Sequence, residues 1–198
     1  MQSLSALTLG AFVSWNVRLL TTINNWSGNP VLDDLMKFCA KDLIFVIIAA
    51  VGLLALRSLR RHGLRPAVLT GIGLGAAFTA SLVLAALHRE LRPFQTHPVH
   101  VLINHTGGQS FPSDHATAAF AVAFAVLVFL SRRWGVALLL AATLVGLSRV
   151  YAGLHYPGDI LGGALAALLG VALASVVGML HRRASTPPHH PVGATRSA

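Results

Sequence analysis

The chain has 198 residues, enough for one domain, of which 55% are hydrophobic and only 11% charged. A soluble domain carries about 25% charged residues, so these few charges argue against a water-facing surface all round. The formal net charge is +9, but the cations cluster at residues 57–65, at Arg132 and Arg133 and in the tail. No aromatic-rich basic stripe accompanies them, which argues against a nucleic-acid partner.

In chain order, the first apolar stretch is Ser3 to Asn24, broken by Arg18 and a few amides. Its length favours a membrane span, with an interfacial amphipathic helix as the alternative. It lacks the basic start and cleavage site of a signal peptide. Asn29-Pro30 then reads as a turn before a second helix. Charge-free runs follow at Leu43–Leu56, Pro66–Leu87, Ala116–Ser131, Trp134–Ser148 and Ile160–Leu180. A spanning helix needs about 20 apolar residues, so the shorter runs must borrow their polar flanks. The expected fold is therefore an all-α integral membrane protein, a bundle of about six transmembrane helices with the N-terminal one open. Residues 1–183 form a single domain on this reading. The tail from Ala184, rich in Pro, Ser, Thr and His, is expected to be disordered, and His189 and His190 read as part of a solvated tail. Cys39 is the only cysteine, which rules out an intrachain disulfide.

Charge also sets an orientation. The segment 57–65, Arg132–Arg133 and residues 181–183 fall at alternate span ends, hence on one side, which the positive-inside rule assigns to the cytoplasm. The opposite side receives the segment before Leu43, the loop 88–114 and residues 151–159. All six acidic residues, Asp33, Asp34, Asp42, Glu90, Asp114 and Asp159, fall there too.

That outer side carries polar residues a lipid-facing bundle does not need. The segment 88–115 includes His88, His97, His100, His105 and His115. Long loops of this kind are commonly functional when they are not disordered, and the apolar residues here suit packing. Phe111-Pro112-Ser113-Asp114-His115 leads into an apolar helix. Ser113 or Asp114 can simply cap it, or the helix N-terminus can receive an anion. Arg149, near the outer end of another run, is either snorkelling or functional. His155 shares its short connection with Pro157-Gly158, which breaks the helix, and Asp159, which can cap the next one. A carboxylate near a histidine can fix its tautomer and raise its basicity. Arg92, next to Pro93, offers a planar fork matched to phosphate oxygens, or is a plain interfacial cation. Two arginines, two histidines, a serine and a helix N-terminus on one face point to a phosphate site.

The spacing Ser148-Arg149, five residues, His155, three residues, Asp159 resembles the third signature of the type 2 phosphatidic acid phosphatase superfamily. Pro112-Ser113-Asp114-His115 resembles the second, with Asp114 where Gly is commoner, and Arg92-Pro93 resembles the end of the first. That first signature normally begins with a Lys seven residues before the Arg; the position here is Ala85, and Arg89 and His88 are the candidates to replace the cation. Arg92-Pro93-Phe94, Val101-Leu102-Ile103, Ser110 to Thr117, and Asn24 to Asp42 are similar to the bacitracin-resistance type of undecaprenyl-diphosphate phosphatase. The resemblance implies a periplasm- or exterior-facing site in a bacterial inner membrane and a role in recycling the lipid carrier of peptidoglycan synthesis. The expected substrate is undecaprenyl diphosphate or a related isoprenoid lipid in the bilayer. It implies a catalytic set of His155 as nucleophile, Asp159 orienting it, and His115 as proton donor and base. Arg92, Arg149, Ser113, Asp114 and Arg89 are the implied phosphate-binding set. No cofactor and no metal is expected, since the arginines carry the phosphate charge and no compact carboxylate cluster of the kind Mg²⁺ prefers is present.

Three other readings stand beside this one. The same chemistry could serve phosphatidic acid or phosphatidylglycerophosphate. A transporter would need polar groups near the midplane, whereas here they gather at one face. An inactive relative is consistent with Ala85 but not with the retention of His155, Asp159 and His115.

Overall fold

The computed structural model describes residues 4–184, so the expectation for the tail beyond Ala184, including His189 and His190, lies outside the described residues. The described residues are almost entirely helical, with one isolated antiparallel bridge between Leu91 and Gln109. Helix α1 (Leu4–Asn24) leads into α2 (Pro30–Lys41), whose start follows its local sequence. Pro30 occupies the first turn, and the Asn29 side chain accepts from the N–H groups of Val31 and Leu32. At 12 residues α2 is about 18 Å long, too short to cross.

The spans are α3 (Leu43–His62), α4 (Leu64–Leu87), α7 (Arg132–Tyr151) and α8 (Pro157–Ala184), the four helices long and apolar enough to cross a membrane among the described residues. Between α4 and α7 lies α6 (Asp114–Ala125), extended by a single π-helical turn, Val126–Leu130. This shorter apolar segment forms the centre of the bundle, touching α3, α4, α7 and α8. Helix α1 is 21 residues long, is not among the four, and packs against α7 and α8. A short helix, α5 (Pro93–Thr96), sits inside the loop that joins α4 to α6.

Helices run past the apolar stretches read from the sequence. Arg57, Arg60 and Arg61 are in the last turns of α3 and Arg65 in the first turn of α4, so the basic segment 57–65 is no loop but two helix ends joined at Gly63, with φ +74°. Arginine is a good helix former, and a charge marks where the apolar phase ends, not where the helix does. The ends alternate as expected: Arg65 Nη2 donates to Gly178 O at 2.6 Å, joining the start of α4 to the end of α8.

Packing is inverted relative to a soluble protein. The interior of α6 is alanine-rich, with Ala116, Ala119, Ala121, Ala123 and Ala125 fully buried. Large apolar residues such as Phe45, Ile48, Leu82 and Leu165 face outward, as acyl chains require. The tightest crossing joins α4 and α8: a Cβ on Gly170 would stand 2.3 Å from Ala77 N and 2.6 Å from Gly73 O. Small residues let the two backbones meet there.

Candidate active site

The end of α4, the starts of α6 and α8 and the end of α7 meet at one end of the bundle. Gln109 Nε2 donates to the carbonyls of Ala85, His88 and Phe111, fastening the long loop to the end of α4. The Ser113 N–H donates to Asp159 O at 3.1 Å, which ties the start of α6 to the start of α8. Ser113 caps α6, its Oγ accepting from Ala116 N, and is fully buried.

The chain leaves α7 through Gly153, with φ +72°, where a Cβ would stand 2.7 Å from His100 O. Leu154 N–H donates to Arg149 O, and the chain enters α8 at Pro157. This turn presents His155, 2% exposed, beside the fully buried Asp159. The pair is four residues apart, with His155 Nδ1 3.2 Å from Asp159 Oδ2. Asp159 stands inside the first turn of α8, and its Oδ2 reaches back to accept the Tyr156 N–H at 2.8 Å. The same oxygen accepts from the Ser110 hydroxyl at 2.5 Å.

On the other side of the ring, His155 Nε2 lies 3.0 Å from Arg92 Nη1. A guanidinium can only donate, and Asp159 can only accept when ionised. The two neighbours therefore assign one tautomer: the proton on Nδ1, the lone pair on Nε2. Burial, the largest influence, pushes the His155 imidazole below its ordinary range. The Asp159 pair pulls it back, while Arg149 and Arg92 push it further down.

Arg92 also donates from Nη1 to Leu154 O at 3.3 Å, and Arg149, 4% exposed, donates from Nη1 to Ala40 O at 3.1 Å. Both arginines keep a buried Nε–H with no hydrogen-bond partner. Two such donors beside a histidine lone pair and a helix N-terminus suit a tetrahedral anion, because unmade hydrogen bonds of buried cations are costly until a ligand fills them.

The remaining residues proposed from the sequence are placed as follows. His115 is half-buried in the first turn of α6 and feels the charges of Arg149, His155, Arg92 and His105. Asp114 is exposed, and its carboxylate acts on Arg92 and Arg149. Arg89 is exposed beyond the end of α4 and makes no bond to the cluster. Among the described residues, no three of His, Cys, Asp and Glu gather to hold a metal ion.

Sequence reasoning missed the groups that hold this turn from outside. Asn16 Oδ1, in α1, accepts the Gly158 N–H at 2.8 Å. Asn24 Nδ2 donates to Tyr151 O and His100 O, and its Oδ1 accepts His100 N, all at 2.8 Å. Tyr151 OH donates to Asp33 Oδ1 at 2.7 Å, bringing the start of α2 to the end of α7. Amides inside an apolar run were the available signal, since polar groups at membrane depth need partners. Ser110 carried no such signal.

Residues 66–183 match the PAP2 superfamily. The chain is 38% identical to the undecaprenyl-diphosphatase of Bacillus subtilis over 71% of its own length and 72% of that protein's. It is 35% identical to a putative undecaprenyl-diphosphatase of Escherichia coli, over 82% of each. It is also 34% identical to a decaprenylphosphoryl-5-phosphoribose phosphatase of Mycobacterium tuberculosis, over 68% of this chain and 72% of that one. The fold is shared with the crystal structure of LpxE from Aquifex aeolicus (TM-score 0.67, 23% identity, 82% of this chain and 95% of that one). It is shared too with a PAP2-type phosphatidylglycerolphosphate phosphatase from Bacillus subtilis (TM-score 0.64, 19% identity, 89% and 90%).

Proposed function

Since this chain belongs to the PAP2 superfamily and is a multi-pass membrane lipid phosphatase, we propose that its substrate is undecaprenyl diphosphate, hydrolysed to undecaprenyl phosphate and inorganic phosphate. The observation that carries the chemistry is the setting of the His155 ring, with Nε2 3.0 Å from Arg92 Nη1 and Nδ1 3.2 Å from Asp159 Oδ2, from which the reactive tautomer is assigned. The substrate rests on the undecaprenyl-diphosphatase relatives.

In this mechanism His155 Nε2 attacks the terminal phosphorus. The bond to the bridging oxygen breaks, and undecaprenyl phosphate leaves with its electrons. Asp159 stabilises the imidazolium as it forms. Arg92 Nε, Arg149 Nε and backbone N–H groups at the start of α6 stabilise charge on the equatorial oxygens. His115 gives a proton to the leaving oxygen, then takes one from water as that water attacks the phosphohistidine. Phosphate is released and His155 regains its lone pair. Ser113 supports the same oxygens, Asp114 sets the charge beside the arginines, and Arg89 meets the head group at the rim. The cluster faces the exterior of the inner membrane, because the basic helix ends gather at the other face.

The test is phosphate release by purified protein in detergent, on undecaprenyl diphosphate, phosphatidic acid and phosphatidylglycerophosphate. The expected result is preference for the diphosphate and loss of all release in His155→Ala. Preference for a monoester lipid would overturn the substrate and leave the mechanism standing.

A further inference from the structure

At the bundle end opposite the catalytic cluster, a recess of about 260 Å³ opens between the end of α3, the π turn and the start of α7. Its polar lining is Arg57, Ser58, Arg61 and Ser131, with Trp134 at its side. Four features mark it as an anion site. Arg57 and Arg61 are exposed, and neither makes an ion pair among the described residues. All six acidic residues lie toward the other end. The N-terminus of α7 is open: its N-cap Ser131 makes no side-chain capping bond, and no acid stands in the first turn. The Ser58 side chain is 6% exposed and lines the recess, yet its buried hydroxyl has no hydrogen-bond partner. A helical serine usually returns such a hydroxyl to a carbonyl of the preceding turn; this one does not.

We propose that this recess binds the phosphate headgroup of an anionic phospholipid from the leaflet opposite the catalytic cluster. Arg57 and Arg61 supply charge, the Ser58 hydroxyl donates to a phosphate oxygen, and the free N–H groups of α7 complete the cradle. The surroundings fit a lipid rather than a free ion. A neighbouring recess shares Arg57 and Arg61 and adds Leu53 and Leu56, which are 71% and 49% exposed and face where acyl chains would run. Trp134 is 55% exposed at the same level, the position tryptophan takes at a membrane interface.

The experiment uses the full chain in neutral detergent, with bound lipid read by native mass spectrometry and melting temperature read in parallel. One phosphatidylglycerol should remain bound per chain and raise the melting temperature, and phosphatidylcholine should do neither. Arg61→Ala should weaken phosphatidylglycerol retention about fivefold, the size expected for one interfacial cation, and Ser58→Ala, which removes one hydrogen bond to a charged group, should weaken it as well. Arg183→Ala removes a charge from the same end but outside the recess, and should leave retention unchanged. All three variants should keep phosphatase activity in detergent, which certifies their fold. Equal retention of phosphatidylcholine, equal loss in Arg183→Ala, or displacement of the lipid by millimolar inorganic phosphate would each overturn the proposal.

Discussion

At the residue scale, everything turns on the proton of His155. Asp159 receives it on Nδ1 and Arg92 faces the bare Nε2, so the ring is prepared to attack without first losing a proton. Burial depresses its pKa below the ordinary value of about 6.5. A depressed pKa favours the neutral ring, so the nucleophile is lost only as pH falls through the lowered value. The ring's contribution to stability follows the same sign: it is present above about pH 6.5 and is lost on acidification through the folded pKa. The acid limb of kcat/KM for the diphosphate should therefore lie below pH 6.5, and a limb above it would contradict the assigned environment. His115 gives a second prediction at this scale. A prenyl phosphate is a better leaving group than an alcohol and needs less protonation. His115→Ala should lower monoester cleavage by roughly 10²–10⁴-fold, the usual range for general-acid catalysis, and diphosphate cleavage by clearly less. Equal losses on the two substrates would refute that role.

At the scale of elements, α1 braces the catalytic turn. Its Asn16 holds the first turn of α8 and its Asn24 holds both the end of α7 and the strand of loop at His100. The turn carrying His155 is thus gripped from a helix outside the matched region 66–183. Asn16→Ala should leave the Gly158 N–H buried and unpaired, a cost of about 1–3 kcal/mol. Because the displaced turn carries His155, kcat should fall while KM stays near the parent value. Asn16→Asp, which keeps the acceptor oxygen, should recover part of the loss. A fall in melting temperature with kcat intact would make Asn16 merely structural. The helices themselves were legible from their apolar runs, and the starts of α2 and α6 from Asn29-Pro30 and Ser113; α8 instead begins at Pro157, ahead of the cap read at Asp159, because proline suits the first helical position. The helix ends opposite the site were not legible, because a run of arginines continues a helix as readily as it ends a hydrophobic count.

At the scale of the whole molecule, the basic helix ends and the chemistry lie at opposite ends. The site residues were legible because phosphoryl transfer needs rare groups, cations and imidazoles, in a chain that is otherwise apolar. Their distance in sequence, from Arg92 to Asp159, hid which atoms meet: that Arg92 reaches the ring of His155, and that Ser110 shares Asp159, follows only from the fold. Orientation can be tested directly. With the buried Cys39 replaced, Gln95→Cys beside the site should react with a membrane-impermeant thiol reagent in intact cells, and Arg183→Cys only after lysis. The reverse pattern would invert the topology.

The central claim, that His155 carries the phosphoryl group, is tested most directly by rapid acid-free quenching of a single turnover with terminally labelled undecaprenyl diphosphate. A base-stable, acid-labile label should appear on the peptide that contains His155 and be absent in His155→Ala. Label on another residue, or turnover with no labelled protein at any time, would contradict it.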